Sequence, residues 1–493
     1  MNRLPTPCDD AIRFEPLEGR QMFAAGALDT TFSLDGTETV TFPGADNAIA
    51  ADLAVQPDGK TVAVGTVRFT LHDGTQTFRF GVARMNADGT LDKSFGQSKT
   101  GLVTFGVPDS ANAHAASVTL QLDGKIVVAG TVNDSSGHDS KFAVARLTTS
   151  GLLDKSFDLD GKQVIRVKGT SVAHDVTVQA DGKIVVVGGD TNGGGLFSDA
   201  DSDFAIARLN PNGSPDQTFA SGGKRIVGLG ETEFASAVAI DYSGVPGVNP
   251  NFGKIIMVGH RFGRGYAMVR LNGDGSLDKT FSGDGSLVTR FPGFGFHSTV
   301  NGLVIQPNGK TVLVGHADKT SDAPMALVRY NTDGSIDNSF GADGNGVAFV
   351  RIGRVNRGTD VIIGAKGGLV VAGLSDKKFA LAGLTRDGRI DTSFGIGGSV
   401  VTDLGEDRNL NTRLIRMAAA PNRRITLVGG TGFKTARYLD IGGNLLGNVI
   451  NPGNLPQLTI GTTTPPSPGP ISGSGAAAPK PNAAGRIFSE LRI

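Results

Sequence analysis

A five-residue motif occurs seven times along the 493-residue chain, and it limits the possible folds more than any other feature. The copies are Leu28-Asp29-Thr30-Thr31-Phe32, Leu91-Asp92-Lys93-Ser94-Phe95, Leu153-Asp154-Lys155-Ser156-Phe157, Pro215-Asp216-Gln217-Thr218-Phe219, Leu277-Asp278-Lys279-Thr280-Phe281, Ile336-Asp337-Asn338-Ser339-Phe340 and Ile390-Asp391-Thr392-Ser393-Phe394. Their starts lie 63, 62, 62, 62, 59 and 54 residues apart. A period of this size marks one supersecondary unit copied along the chain, so length alone does not give the domain count.

Each unit reads as four strands. Strand one is short, as in Thr39-Val40-Thr41-Phe42, and strand two ends near a Gln, as in Asp52-Leu53-Ala54-Val55-Gln56. An Asp-Gly or Asn-Gly pair follows (Asp58-Gly59, Asp123-Gly124, Asp181-Gly182, Asn308-Gly309), the strongest short-range hairpin signal. Strand three is a continuous apolar run, which implies burial on both faces. A glycine closes it every time: Gly65, Gly130, Gly188, Gly259, Gly315, Gly373 and Gly429. Strand four is Phe142-Ala143-Val144-Ala145-Arg146-Leu147 and its counterparts.

One such sheet cannot bury both its faces, whereas a ring of them can. The sequence therefore predicts an all-β fold, a seven-bladed β-propeller with four antiparallel strands per blade, over 28–440. The ring closes where Tyr438-Leu439-Asp440 meets Leu28-Asp29. Residues 1–27 form an N-terminal export- or sorting-like segment, and 441–493 a flexible C-terminal segment whose 451–485 stretch is rich in Pro, Gly, Ser, Thr and Ala. Composition agrees with an all-β reading: there are 72 Gly, no Trp, four Tyr and 27 Phe, and forty of the 47 acidic residues are Asp, a turn former. A net charge of zero speaks against nucleic acid as a partner. No run of 18 apolar residues provides a membrane span, and the single Cys8 excludes an internal disulfide.

The strings Asp-Gly-Lys-Ile-Val-Val, Phe-Ala-Val-Ala-Arg-Leu and Leu-Asp-x-Ser-Phe, seen together over 123–157, resemble the delta-60 repeat family of bacterial proteins. The resemblance covers about 28–440, with the last two copies degenerate: Gly383 stands where strand four has Arg. It implies a propeller and says little about chemistry. The head, Arg13-Phe14-Glu15-Pro16-Leu17-Glu18-Gly19-Arg20-Gln21-Met22-Phe23, looks like the Leu-Glu-Pro-Arg type tag of large bacterial surface proteins, with Gly19 in place of Pro. That implies an extracellular or cell-surface location.

Arg84, Arg146, Arg208, Arg270, Arg329 and Arg437 recur in strand four, and Asp29, Asp92, Asp154, Asp216, Asp278, Asp337 and Asp391 in the motif. One contact repeated in every blade points to a scaffold: a bidentate Arg–Asp pair, with the Asp also accepting the amide two residues on and the Phe acting as a wedge. Loops such as Asn86-Ala87-Asp88-Gly89 and Asp158-Leu159-Asp160-Gly161 resemble half of a calcium loop but lack its closing Glu. The acidic stretch holding Asp199, Asp201 and Asp203 is the better metal candidate, so calcium is the one cofactor considered. The seven histidines share no column of the repeat. One strand-two column varies, reading Asp52, Ser117, Asp175, Ala237, Gly302, Asp360 and Arg416, and two residues earlier the side chains are mostly small. Crowding at an axis explains the small residues, and Asp52, Asp175, Asp360 and Arg416 are then expected to line a central channel. No catalytic residue stands out. The function expected is an exported, non-catalytic scaffold binding a protein or glycan at the cell surface through its variable-loop face. The alternative is an extracellular hydrolase or lyase with a channel-mouth site, metal-assisted or not.

Overall fold

The computed structural model describes residues 25–439 except 108–109, 135–138, 192–201, 262–264, 290–297, 317–323, 354–355, 365–366, 406–414 and 422. These all fall within one compact unit, 1–455. Both flanking segments, with the Arg13–Phe23 tag, lie outside the described residues.

Among the described residues there are 28 strands and no α-helix. They form five four-stranded sheets and one eight-stranded sheet. The eight-stranded sheet is two four-strand groups joined by a single parallel pair, Phe78 with Asn112. Neighbours within every group are antiparallel, so all-β architecture from repeated four-strand units holds.

Sheet and sequence repeat are offset. Strands Asn47–Val55, Thr61–Thr70 and Gln76–Met85 of the first unit take as their outer neighbour Leu102–Phe105, which is strand one of the second. The offset continues along the chain. The last group, Arg416–Ala420, Arg424–Gly429 and Lys434–Leu439, is completed by the first strand, Thr37–Thr39, in the register Thr37 to Ala436. This first strand sits earlier than the Thr39–Phe42 expected, because Val40 and Phe42 turn into the core. Leu28 bridges Tyr438 beside it. The first and last strands of the described region therefore share one sheet.

Strand two carries a β-bulge in six groups, as between Ala50 and Asp52 or between Ala173 and Asp175. A bulge bends its strand and re-aims the following side chain. The bend pushes a carbonyl onto strand three, where the recurrent glycine stands. A Cβ on Gly130 would lie 2.1 Å from the His114 carbonyl oxygen, and one on Gly315 would lie 1.7 Å from that of Thr299. The glycine thus serves the bulge. Gly429 is the exception, with no atom inside 3.2 Å.

Apolar clusters lie between successive groups, each joining the inner strands of one group to the faces of the next. One further cluster joins Ala48, Ala63 and Ala83 to Val428 and Phe433, the first group to the last. The small residues two places before the varying column pack here rather than at an axis. The Ala50 amide donates to Gly430, and a Cβ on Gly358 would meet the Gly315 carbonyl of the preceding sheet at 2.6 Å.

Candidate functional site

The motif aspartates and strand-four arginines form a repeated clamp. Arg84, Arg146, Arg208, Arg270, Arg329 and Arg437 each donate from Nε to one oxygen of Asp92, Asp154, Asp216, Asp278, Asp337 and Asp29, at 2.6–2.8 Å. The pair is single-point rather than bidentate, and Nη1 is committed elsewhere. It donates to a main-chain carbonyl in the next group: Thr149, Pro211, Gly273, Thr332, Arg386 and, for Arg437, Ala87. Each guanidinium lies 4.3–4.9 Å from the centre of the motif Phe ring, a cation–π contact. The other carboxylate oxygen accepts the amide and hydroxyl of the Ser or Thr two residues on, as in Asp154 with Ser156. Burial alone would raise Asp154, but Ser156, Arg146 and Lys125 outweigh it and bring the carboxyl down to about 2. Asp216 and Asp278 sit at about 2 by the same balance. Asp391 has no such arginine: at Gly383 a Cβ would meet Phe394 Cβ at 2.4 Å, so the wedge ring fills the arginine's place.

The varying column meets in one cavity of about 180 Å³, lined by Asp52, Ser117, Asp175, Ala237, Gly302, Asp360 and Arg416, one residue from each strand two. Its remaining walls come from residues further along those strands, among them Ala54, Thr119, Ala239, Tyr242 and Ala418. The cavity therefore extends toward the Asp-Gly turns. Each carboxylate links two successive inner strands. Asp52 accepts its neighbour's amide, Leu53, and that of Val118 on the next strand, at 2.8 and 2.9 Å. Asp175 does the same with Val176 and Val238, and Asp360 with Val361 and Met417. Arg416 donates to the Asn301 carbonyl at 2.8 Å. Ser117 Oγ lies 2.7 Å from both Asp52 Oδ2 and Asp175 Oδ1. A hydroxyl has one hydrogen, so the second contact needs a proton from a carboxyl. Desolvation, together with the Asp175 charge and against the pull of Arg416, raises Asp52 to about 7. Burial raises Asp175 too, and takes Asp360 to about 6.

Behind this layer lies a histidine group that the sequence reading missed. His260 and His316 do share a column, each following a strand-three glycine, and His174 is the extra residue of a bulge. Counting from those glycines would have found the pair. The Phe234 ring lies 5.2 Å from His174 and 3.9 Å from His260. His316 contacts Thr299 Oγ1 at 2.8 Å. Burial holds His174 and His260 at about 4, hence neutral. His114 packs on Phe78. His138 and His297 lie outside the described residues.

Asp199 and Asp201 also lie outside them, and Asp203 stands opposite Asp190 in a strand ladder. Asp88, Asp274 and Asp333 of the calcium-like loops cap local turns through Thr90, Ser276 and Ser335. Among the described residues no three His, Cys, Asp or Glu side chains converge as metal ligands. No described helix is long and apolar enough to cross a membrane.

Residues 56–95, 121–157, 179–219, 253–281 and 306–340 match a family described as "Domain of unknown function (DUF5122) beta-propeller". These five stretches are similar to the repeats of that β-propeller family. Each matched stretch starts at or near the Gln or insertion after strand two and ends on the motif Phe, so it holds the Arg, Asp and Phe of one clamp. No curated protein matches the sequence. Solved structures to which the chain is similar include Sqt1 from Chaetomium thermophilum (12% identity, 83% of this chain and 86% of that one, TM-score 0.45). A polysaccharide lyase, Uly1, gives 11% identity, 80% and 89% coverage and a TM-score of 0.45. A putative gluconolactonase gives 12%, 86% and 99%, and 0.34. At these identities and TM-scores nothing about ligand or activity carries over.

Proposed function

We propose that the DUF5122 repeats close into a seven-bladed β-propeller that serves outside the cell as a non-catalytic scaffold for a protein or glycan partner. One residue from each of seven inner strands at a single cavity supports the blade count. The tag-like head supports export. The observation that carries the non-catalytic reading is the use of the cavity carboxylates. Asp52, Asp175 and Asp360 each bond main-chain amides on two successive strands, so they act as joints between sheets rather than as free acids and bases. Function on a rigid scaffold tends to sit on irregular loops. Large parts of the variable loops lie outside the described residues, however, and the cavity lining supports a site on the opposite, tight-turn face.

The convergence of Asp52, Ser117 and Asp175 favours a second reading, an extracellular hydrolase or lyase. A binding screen against cell-surface proteins and glycans, with and without calcium, tests the first reading. An assay of polysaccharide cleavage tests the second. Turnover that disappears in Asp175→Asn while the fold persists would replace the scaffold with an enzyme.

A further inference from the structure

We propose that the central cavity receives a lysine or arginine side chain from a protein partner, whose flanking aliphatic residues seat on Leu122, Val245 and Val248. The inference rests on the scaffold reading above and names the partner's chemistry and face.

Charge comes first. Three carboxylates meet one guanidinium at the cavity, and Arg416 spends its Nη1 on main-chain carbonyls of Asn301 and Thr359. Asp52 and Asp175 are half-buried and face the open space. The Ser117 hydroxyl has one hydrogen for two carboxylate oxygens. One shared proton and Arg416 still leave an excess of negative charge among the described lining residues, which a ligand cation would balance. Shape comes next. A volume of about 180 Å³ corresponds to roughly six waters, and the short side chains of Ala54, Thr119, Thr177, Ala239 and Ala418 leave a narrow shaft with methyl groups along its wall above the carboxylates. A long alkyl stem with a charged head fits that gradient.

The rim supplies the rest. Leu122 lies two residues beyond the lining residue Leu120, and Val245 three beyond Tyr242. Leu122, Val245 and Val248 are 56%, 60% and 77% exposed on the turns that follow the inner strands. Exposed aliphatics around an acidic socket suit a peptide segment better than a sugar. Sugar recognition favours aromatic stacking, and this chain has no Trp and buries all four Tyr.

The test uses the full chain with isotope-labelled alanine methyls and three probes: acetyl-Leu-Lys-Leu-amide, its arginine counterpart and its norleucine counterpart. The cationic peptides should shift the methyls of Ala54, Ala239 and Ala418 and bind at least about tenfold more tightly than the norleucine peptide. Ala239→Leu, which fills the shaft and touches no cavity carboxylate, should weaken the lysine peptide by about tenfold or more with the thermal midpoint retained. Equal binding of lysine and norleucine peptides, or full binding to Ala239→Leu, overturns the proposal. A protein found in the screen that still binds Ala239→Leu would overturn this socket and leave the scaffold reading standing. Finding no partner of any kind would remove both.

Discussion

At the scale of single residues, the molecule uses charge to join backbone segments. Arg146 holds Asp154, the Pro211 carbonyl and the Phe157 ring at once. Removing it leaves a buried carboxylate with less compensation, so Arg146→Ala should cost about 3–5 kcal/mol in urea unfolding. Arg146→Lys should recover only part of that, since an ammonium lacks the planar fork. Ser117 behaves differently. Its hydroxyl separates two carboxyls whose charged forms are already disfavoured, so Ser117→Ala should destabilise more at pH 8, with Asp52 ionised, than at pH 5. A loss equal at both pH values would show that no proton is held between Asp52 and Asp175. The recurring Arg and Asp were legible as a structural pair because they repeat. The second tie, from Nη1 to a carbonyl in the next group, was not, because a carbonyl leaves no mark on the sequence.

At the scale of elements, the bulge on strand two and the glycine on strand three are one device. Gly130→Ala would set a Cβ against the His114 carbonyl, and the bulge would have to move. We expect a loss of about 1–3 kcal/mol. Gly429→Ala, where a Cβ would come no closer than 3.2 Å to the Ile415 side chain, should cost less than Gly130→Ala by the same thermal-melt measurement. The glycines announced themselves by position, yet their partner did not, since an extra residue in a strand shifts spacing by one and looks like ordinary drift. The same shift hid the histidines. His174 sits in the bulge while His260 and His316 lie on strand three, so a linear alignment scatters side chains that the bend gathers.

At the scale of the whole molecule, two sets of aspartates pull stability in opposite directions. The clamp carboxyls are depressed from 3.8 to about 2 at Asp154, Asp216 and Asp278, so their contribution is present above about pH 4 and is lost as pH falls toward 2. The cavity carboxyls are raised, Asp52 to about 7 and Asp360 to about 6, so the native state loses stability as pH climbs from about 4 to 7. The thermal midpoint should therefore peak near pH 4–5 and fall on both sides; a maximum at pH 7 or above would contradict this balance. The four-strand repeat and the partnership of Leu28 with Tyr438 were legible because period and apolar pattern fix them. The offset between repeat and sheet was not, because every copy looks alike whichever neighbour its short strand joins. That offset has a consequence during synthesis. Thr37–Thr39 emerges from the ribosome long before its pairing partner Lys434–Leu439 is made. A nascent chain keeps an unmatched edge until residues 434–439 have been made. Truncation before residue 434 should accordingly yield protease-sensitive, association-prone fragments, whereas supplying 434–439 on a short extension should restore resistance.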